Sequence, residues 1–384
     1  MIRAAFIILS ILPAAAMAEP LPLPDGFAAA FQARDFVIAA AIIRPEADAC
    51  EAEKPVDDRC VHLFLGAALL DLTLAESVGG RDGEASRTVP RAVDYLRHHA
   101  GDDAESLGVA GQMLGRLRLV ERRYAEAEDA FRAAHAAYSR ATPRDVQAIA
   151  SALSNIASAI AFQGRESEAT PLYREVLALI RSQQPVEPAA LLTALSSYAT
   201  NLDAQGLHGA AEPLFREALK LATAEYGEGG AGTARYLSNL AVNLDRLKRL
   251  PEGEALHRRA LAIRIEAGDI GPIQTARINL AYNLHDQHRY AEAEAEALEP
   301  YALASGREAS DPVRIDATRQ LGMIWSWMPA RQAGARTLLR AALSGALAQA
   351  MERPGFDTEA RFRLTAAQPA VRRSVAVAWT LAHR

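Results

Sequence analysis

The stretch from Leu153 to Ala178, LSNIASAIAFQGRESEATPLYREVLA, returns 42 residues later at Leu195–Leu219 and again at Leu237–Leu261. Near-copies at one fixed period specify a repeat array, and few other architectures can accept them. Within one copy, Ile156, Ala157 and Ile160 come before Gly164, and Ala169, Tyr173 and Val176 after it. Spacings of one, three and four make each half an amphipathic helix, with Gly164 ending the first. One small residue recurs on the first helix, as Gly115, Ala157, Ala199, Ala241, Ala281 and Gly322. Another recurs on the second, as Ala127, Ala169, Ala211, Gly253, Ala293 and Gly334. Helices that cross where both carry Ala or Gly can approach closely. A single hairpin cannot bury its apolar face, so neighbours must stack. Copies centred on Leu114, Ile156, Tyr198, Leu240, Leu280 and Leu321 follow one another at 42, 42, 42, 40 and 41 residues.

This pattern resembles the tetratricopeptide repeat, in the 42-residue form of kinesin light chains and many bacterial proteins. The linker and next helix, EYGEGGAGTARYLSNLA from Glu225 to Ala241, resemble that form without its usual His-Pro. Tyr124, Phe131, Tyr173 and Phe215 favour it over HEAT-like repeats of similar period. The resemblance runs from Glu105 to Leu343, about 60% of the chain. It implies an all-α fold, a right-handed superhelix of helix hairpins, and binding in the concave groove lined by the first helices.

The remaining segments are read around this array. Residues 1–18 read as a signal peptide: Arg3, an apolar core from Ala4 to Ile11, and Ala16-Met17-Ala18 as the cleavage site. A membrane anchor is the alternative, but the run is short and Pro13 interrupts it. The mature chain is then expected to be soluble, in the periplasm or secreted, with no stable membrane insertion. Residues 19–100 read as N-terminal helices with a degenerate first repeat, a leading helix over 25–43, a loop over 77–88 and a helix from Pro90. Cys50 and Cys60 are the only cysteines, and an exported chain is expected to join them in a disulfide. Residues 101–345 form the array, with Thr142 before Pro143 and Asp311 before Pro312 as helix starts. Residues 346–384 read as closing helices.

The formal charge of -5 becomes -6 when the signal and its Arg3 are removed, which argues against a nucleic-acid partner. No metal, cofactor or catalytic motif is legible. His285 and His288 lie three apart without supporting ligands, and the glycines of 227–232 lack a phosphate loop's Lys-Ser/Thr. Glu126 and Glu128 read as an exposed helix face.

One step before the six anchors stand Met113, Asn155, Ser197, Asn239, Asn279 and Gln320; three steps after, in three successive copies, Asn201, Asn243 and Asn283. An amide offers two donors and an acceptor to an extended backbone. The resemblance implies that role for Asn155, Asn239 and Asn279, with Ser197 departing from the pattern. Alternatively, these residues bond within the array. Ser154, Ser158, Thr193, Ser196 and Thr200 make the groove's middle small and hydroxylated. Arg235, Tyr282 and Arg319 make its later part charged and aromatic, and the two arginines could meet a carboxylate. The expected function is a non-catalytic scaffold of the cell envelope for a protein or peptide partner. An alternative is the repeat half of a tetratricopeptide–CHAT protease, whose catalytic domain would need a few hundred further residues with a His–Cys dyad. A small-molecule or glycan binder with an aromatic pocket ranks last.

Overall fold

The computed structural model describes residue 26 and residues 29–30, 36–52, 58–78, 83–99, 103–268, 270–351 and 373. Residues 1–18, expected to be a signal peptide, and most of residues 346–384, expected to be closing helices, lie outside them. Among the described residues every regular element is helical: α1 (Phe36–Ala52), α2 (Asp58–Val78), α3 (Glu84–His99), α4 (Ala104–Val120), α5 (Tyr124–Tyr138), α6 (Val146–Phe162), α7 (Glu166–Arg181), α8 (Pro188–Ala204), α9 (His208–Tyr226), α10 (Ala231–Arg246), α11 (Leu250–Ala267), α12 (Ile270–Asp286), α13 (Tyr290–Ala304), α14 (Pro312–Trp325) and α15 (Gln332–Met351). The chain divides into a unit of residues 1–201 and a unit of residues 202–384. In the first, α1 packs on α2, and each helix from there to α7 packs on the next; in the second, the same holds from α9 to α15. Such sequential packing is the all-α hairpin stack that the period demands. No described helix is long and apolar enough to cross a membrane.

The small residues do what their spacing implies. Ala127, Ala157, Ala169, Ala199, Ala211, Ala241, Ala281 and Ala293 are each 0% exposed. At Gly115 a Cβ would meet the Phe131 ring at 2.4 Å. In five of the six copies the turn residue inside the hairpin sits in the left-handed region. It is Gly164 or Gly206 in two copies but Arg122, Lys248 and His288, at φ 61–62°, in three others. A side chain there costs roughly 1–2 kcal/mol. Lys248→Gly is therefore expected to stabilise the chain by about 0.5–1 kcal/mol after the extra unfolded-state freedom of glycine is counted. A urea titration that shows destabilisation would remove the strain argument.

Several local expectations are corrected. The start of α6 is capped by Asp145, which accepts from Gln147 N at 2.8 Å and Ala148 N at 3.0 Å, so Thr142 is not the cap. Asp311 does cap α14 ahead of Pro312. α3 begins at Glu84 and runs through Pro90. Ala85, Val89, Ala92, Val93 and Leu96 are all buried along it, and this stripe outweighs the one backbone bond that a proline removes. The leading helix α1 ends at Ala52 rather than at 43 and carries Cys50 in its last turn; Cys60 is in the first turn of α2. The side chains of both cysteines lie outside the described residues.

An arginine–glutamate ladder also runs through the stack. Arg123, Arg165, Arg249 and Arg289 each precede a second helix and clasp Glu126, Glu168, Glu252 and Glu292 three residues on. Arg165, Arg249 and Arg289 also reach back to the preceding second helix, at Glu128, Glu212 and Glu254. Glu128 is therefore 8% exposed rather than part of a solvated face. Burial pushes the carboxyls of Glu128, Glu212 and Glu254 up, and their arginine and glutamine bonds outweigh it, leaving all three below the usual range. A depressed folded pKa gives stability that is complete above the unfolded value, about 4.3, and is lost as pH falls through the folded one. The melting temperature is expected to fall between pH 5 and pH 3. The Glu128→Gln, Glu212→Gln, Glu254→Gln triple variant should flatten that decline, and an unchanged decline would assign acid sensitivity elsewhere.

Candidate functional site

The two asparagine rows take opposite roles. Asn201, Asn243 and Asn283 are 4%, 0% and 1% exposed, and their amides are committed inside the stack. Asn201 Nδ2 donates to Glu166 O at 3.1 Å. Asn243 donates to His208 O at 3.0 Å, and Asn283 to Leu250 O at 2.9 Å. The three acceptors lie 42 residues apart, each the first residue of a second helix. Asn243 also donates to Asp203, and Asn283 to Asp245. These asparagines staple one hairpin to the next, which corrects the expectation that they line the groove. A backbone carbonyl and a buried carboxylate need that donor, because an unmet buried polar group costs about 1–3 kcal/mol.

Asp245 holds a second partner that the sequence pattern does not single out. His257 is 1% exposed and its Nε2 lies 2.9 Å from Asp245 Oδ2. It stands where sister copies carry Tyr173 and Phe215, and that register was the signal available. Ser158 is also withdrawn from the groove: its hydroxyl donates to Ser154 O and lies 3.0 Å from the Tyr173 hydroxyl of its own hairpin.

Of the row before the anchors, Met113 and Gln320 are buried, with Gln320 Nε2 donating to Ile278 O at 2.8 Å, and the four between them stay half-exposed. Asn155 and Ser197 in the first unit are half-buried, and Asn155 Nδ2 donates to Gln112 Oε1 at 2.7 Å. In the second unit Asn239 and Asn279 are half-buried, and neither amide has a hydrogen bond among the described residues. Ser238, one step earlier, has a buried hydroxyl without a partner. Arg235 is exposed, lies over the Tyr236 ring at 4.8 Å, and forms no ion pair among the described residues. Arg319 is less available: it pairs with Asp316 and faces the Tyr282 phenol. Burial raises the Tyr282 phenol above its ordinary value.

Each unit has a cavity at the same place in the repeat. In the first, about 300 Å³ lies between α6 and α8 over α7; in the second, about 1000 Å³ lies between α12 and α14 over α13. Ser151, Ser154 and Val176 in one match Thr275, Ile278 and Pro300 in the other, each pair at the same step from its anchor. The smaller cavity is walled mostly by Ala and Ser, with Val176 and Ile180 at its base and Asn155 among its polar residues. The larger has Ile278, Leu303 and Val313 as apolar walls and Arg264 and Arg307 as cations, with no aromatic lining residue. Gln274 brings to it a buried Oε1 with no hydrogen-bond partner. The arrangement can bond an extended backbone through amides and seat a side chain beside them. Among the described residues, no three His, Cys, Asp or Glu side chains group as metal ligands.

Residues 149–182 and 190–266 match the tetratricopeptide repeat family. Among curated proteins none matches the sequence. In structure the chain is similar to BtubC (BKLC) from P. vanneervenii, at 24% identity over 58% of this chain and 91% of that one, with a TM-score of 0.51. It is similar to the apo form of RapI, at 12% identity over 94% and 97%, with a TM-score of 0.59. It is also similar to a Rap protein complexed with Competence and Sporulation Factor, at 13% identity over 92% and 97%, with a TM-score of 0.54. At these identities the likeness is one of fold.

Proposed function

We propose that this chain, a tetratricopeptide-repeat protein, is a non-catalytic scaffold that holds an extended peptide or protein segment against the first helices of its hairpins. The observation that carries this reading is the pair of half-buried amides at Asn239 and Asn279, which have no hydrogen-bond partner among the described residues. Sister asparagines four residues on donate their Nδ2 groups inside the stack, so the open pair is not a general looseness of the fold. Arg235, without an acidic partner, supplies a cation for a carboxylate. The cavity between α12 and α14 seats a side chain of the bound segment. A similarly folded Rap protein complexed with Competence and Sporulation Factor supports the mode of binding by analogy alone. Affinity is expected to be micromolar, about -8 kcal/mol.

The test is a selection from a displayed library of random linear peptides on the native chain. Enriched peptides should lose about ten-fold or more in affinity on the Arg235→Ala, Asn239→Ala, Asn279→Ala variant, whose melting temperature should stay native. Equal affinity for both chains would move the site off this face. A library that yields no binder would turn the search to folded partners or small ligands.

We also place the mature chain in the cell envelope, from the signal segment at 1–18, and join Cys50 to Cys60 there. Intact mass of the exported protein should begin at Glu19 and rise by about 2 Da on reduction. A retained N-terminus or an unchanged mass would remove the respective half of this placement.

A further inference from the structure

Beside the turns that end α12 and α14 lies a cluster of rings that the scaffold reading does not use. Trp327 is 46% exposed and stacks on Tyr290, with centroids 6.2 Å apart and planes within 5°. His285 meets both rings edge-on, at 6.1 Å and 5.6 Å, and His288 Nδ1 lies 2.8 Å from the Tyr290 hydroxyl. Over the Trp327 face, at 3.9 Å, sits the guanidinium of Arg373. Its Nε donates to Ser326 Oγ at 2.7 Å and its Nη2 to Ser326 O at 2.8 Å. The Ser326 hydroxyl gives its own proton to Met323 O, so its lone pairs are free to accept.

Among the described residues Arg373 has no ion pair, so what holds the cation there is a ring face and two neutral acceptors. A π face below and two acceptors along one edge match a planar fork. An ammonium would satisfy the face but not both acceptors in one plane. Burial lowers the Arg373 pKa from its ordinary value, and no carboxylate among the described residues offsets the lost water. A cation held on those terms can be exchanged for another of the same shape.

We propose that Trp327, Tyr290 and Ser326 form a guanidinium-binding site, which Arg373 fills in cis and an arginine side chain of a protein partner fills when Arg373 withdraws. The site uses none of the residues assigned to peptide binding, so either reading can fail alone.

The probe is N-acetyl-arginine amide, titrated by calorimetry into the native chain and into Arg373→Ala, with the lysine amide as control. Arg373→Ala should bind the arginine probe about ten-fold better than the native chain does, and better than it binds the lysine probe. Trp327→Leu in the same background should abolish binding. Arg373→Lys, which keeps the charge and lacks the fork, serves as a second opened chain and should show the same preference. Absence of binding by both opened chains, equal binding by the native chain, or binding that survives Trp327→Leu would each overturn the assignment. Circular dichroism confirms that each variant is folded before titration.

Discussion

Asn243→Leu is expected to lower the stability of the chain by about 2–4 kcal/mol, more than any single groove substitution. The side chain is 0% exposed; leucine keeps its branching but is bulkier, so lost hydrogen bonds and overpacking both contribute. Its Nδ2 serves the carbonyl of His208 and the carboxylate of Asp203 together. Arg246 and His208 remain on Asp203 after the substitution, which limits the damage to that acid. What is lost is a link between consecutive hairpins. In a stack stabilised by nearest neighbours, a weak interface lowers cooperativity as well as stability. Urea unfolding followed by helical signal should show a lower midpoint and a shallower transition. A change below about 0.5 kcal/mol would mean that the staple is incidental.

Gly253→Ala is expected to destabilise by about 1–3 kcal/mol, against the sign that helix propensity gives. The matching residue is alanine in four sister copies, at 127, 169, 211 and 293, and Ala exceeds Gly by roughly 1 kcal/mol in a helix. In this copy the space is taken. A Cβ on Gly253 would lie 2.1 Å from Asp245 Oδ1 and 3.2 Å from Asn283 Nδ2. Alanine enters only if Asp245 leaves the contact that joins it to His257 and Asn283. A double-mutant cycle separates the two effects. In an Asp245→Ala background, Gly253→Ala should become neutral or stabilising. Stabilisation in the native background would show that Asp245 can move at little cost.

Much of the fold was legible because the repeat states it several times. Small residues at fixed steps, turn residues after each first helix, and Asp311 ahead of Pro312 are local signals, and each occupies the place its pattern implies. The start of α6 and the run of α3 through Pro90 were less legible. In the first, two capping residues stood three apart; in the second, a buried stripe outweighed a proline. The arginine–glutamate ladder was written in the sequence too, as Glu128, Glu212 and Glu254 at multiples of the repeat spacing, but a charged residue with no visible partner reads as surface.

The candidate site was legible only in part, and the two asparagine rows show why. Asn239 and Asn243 are four residues apart, which on a helix is a rotation of only about 40°. An apolar stripe is about 100° wide, so periodicity assigns both to one face. The sequence by itself determined the helix, the hairpin, its period and the amides that recur in it. Which amide turns into the stack and which stays available was decided by the neighbouring hairpin. It brings the carbonyl of His208 and the carboxylate of Asp203 to Asn243 and, among the described residues, no hydrogen-bond partner to Asn239. That contact joins residues 35 and 40 positions apart, and a difference of 40° on one helix acquires meaning only when the next helix is packed against it.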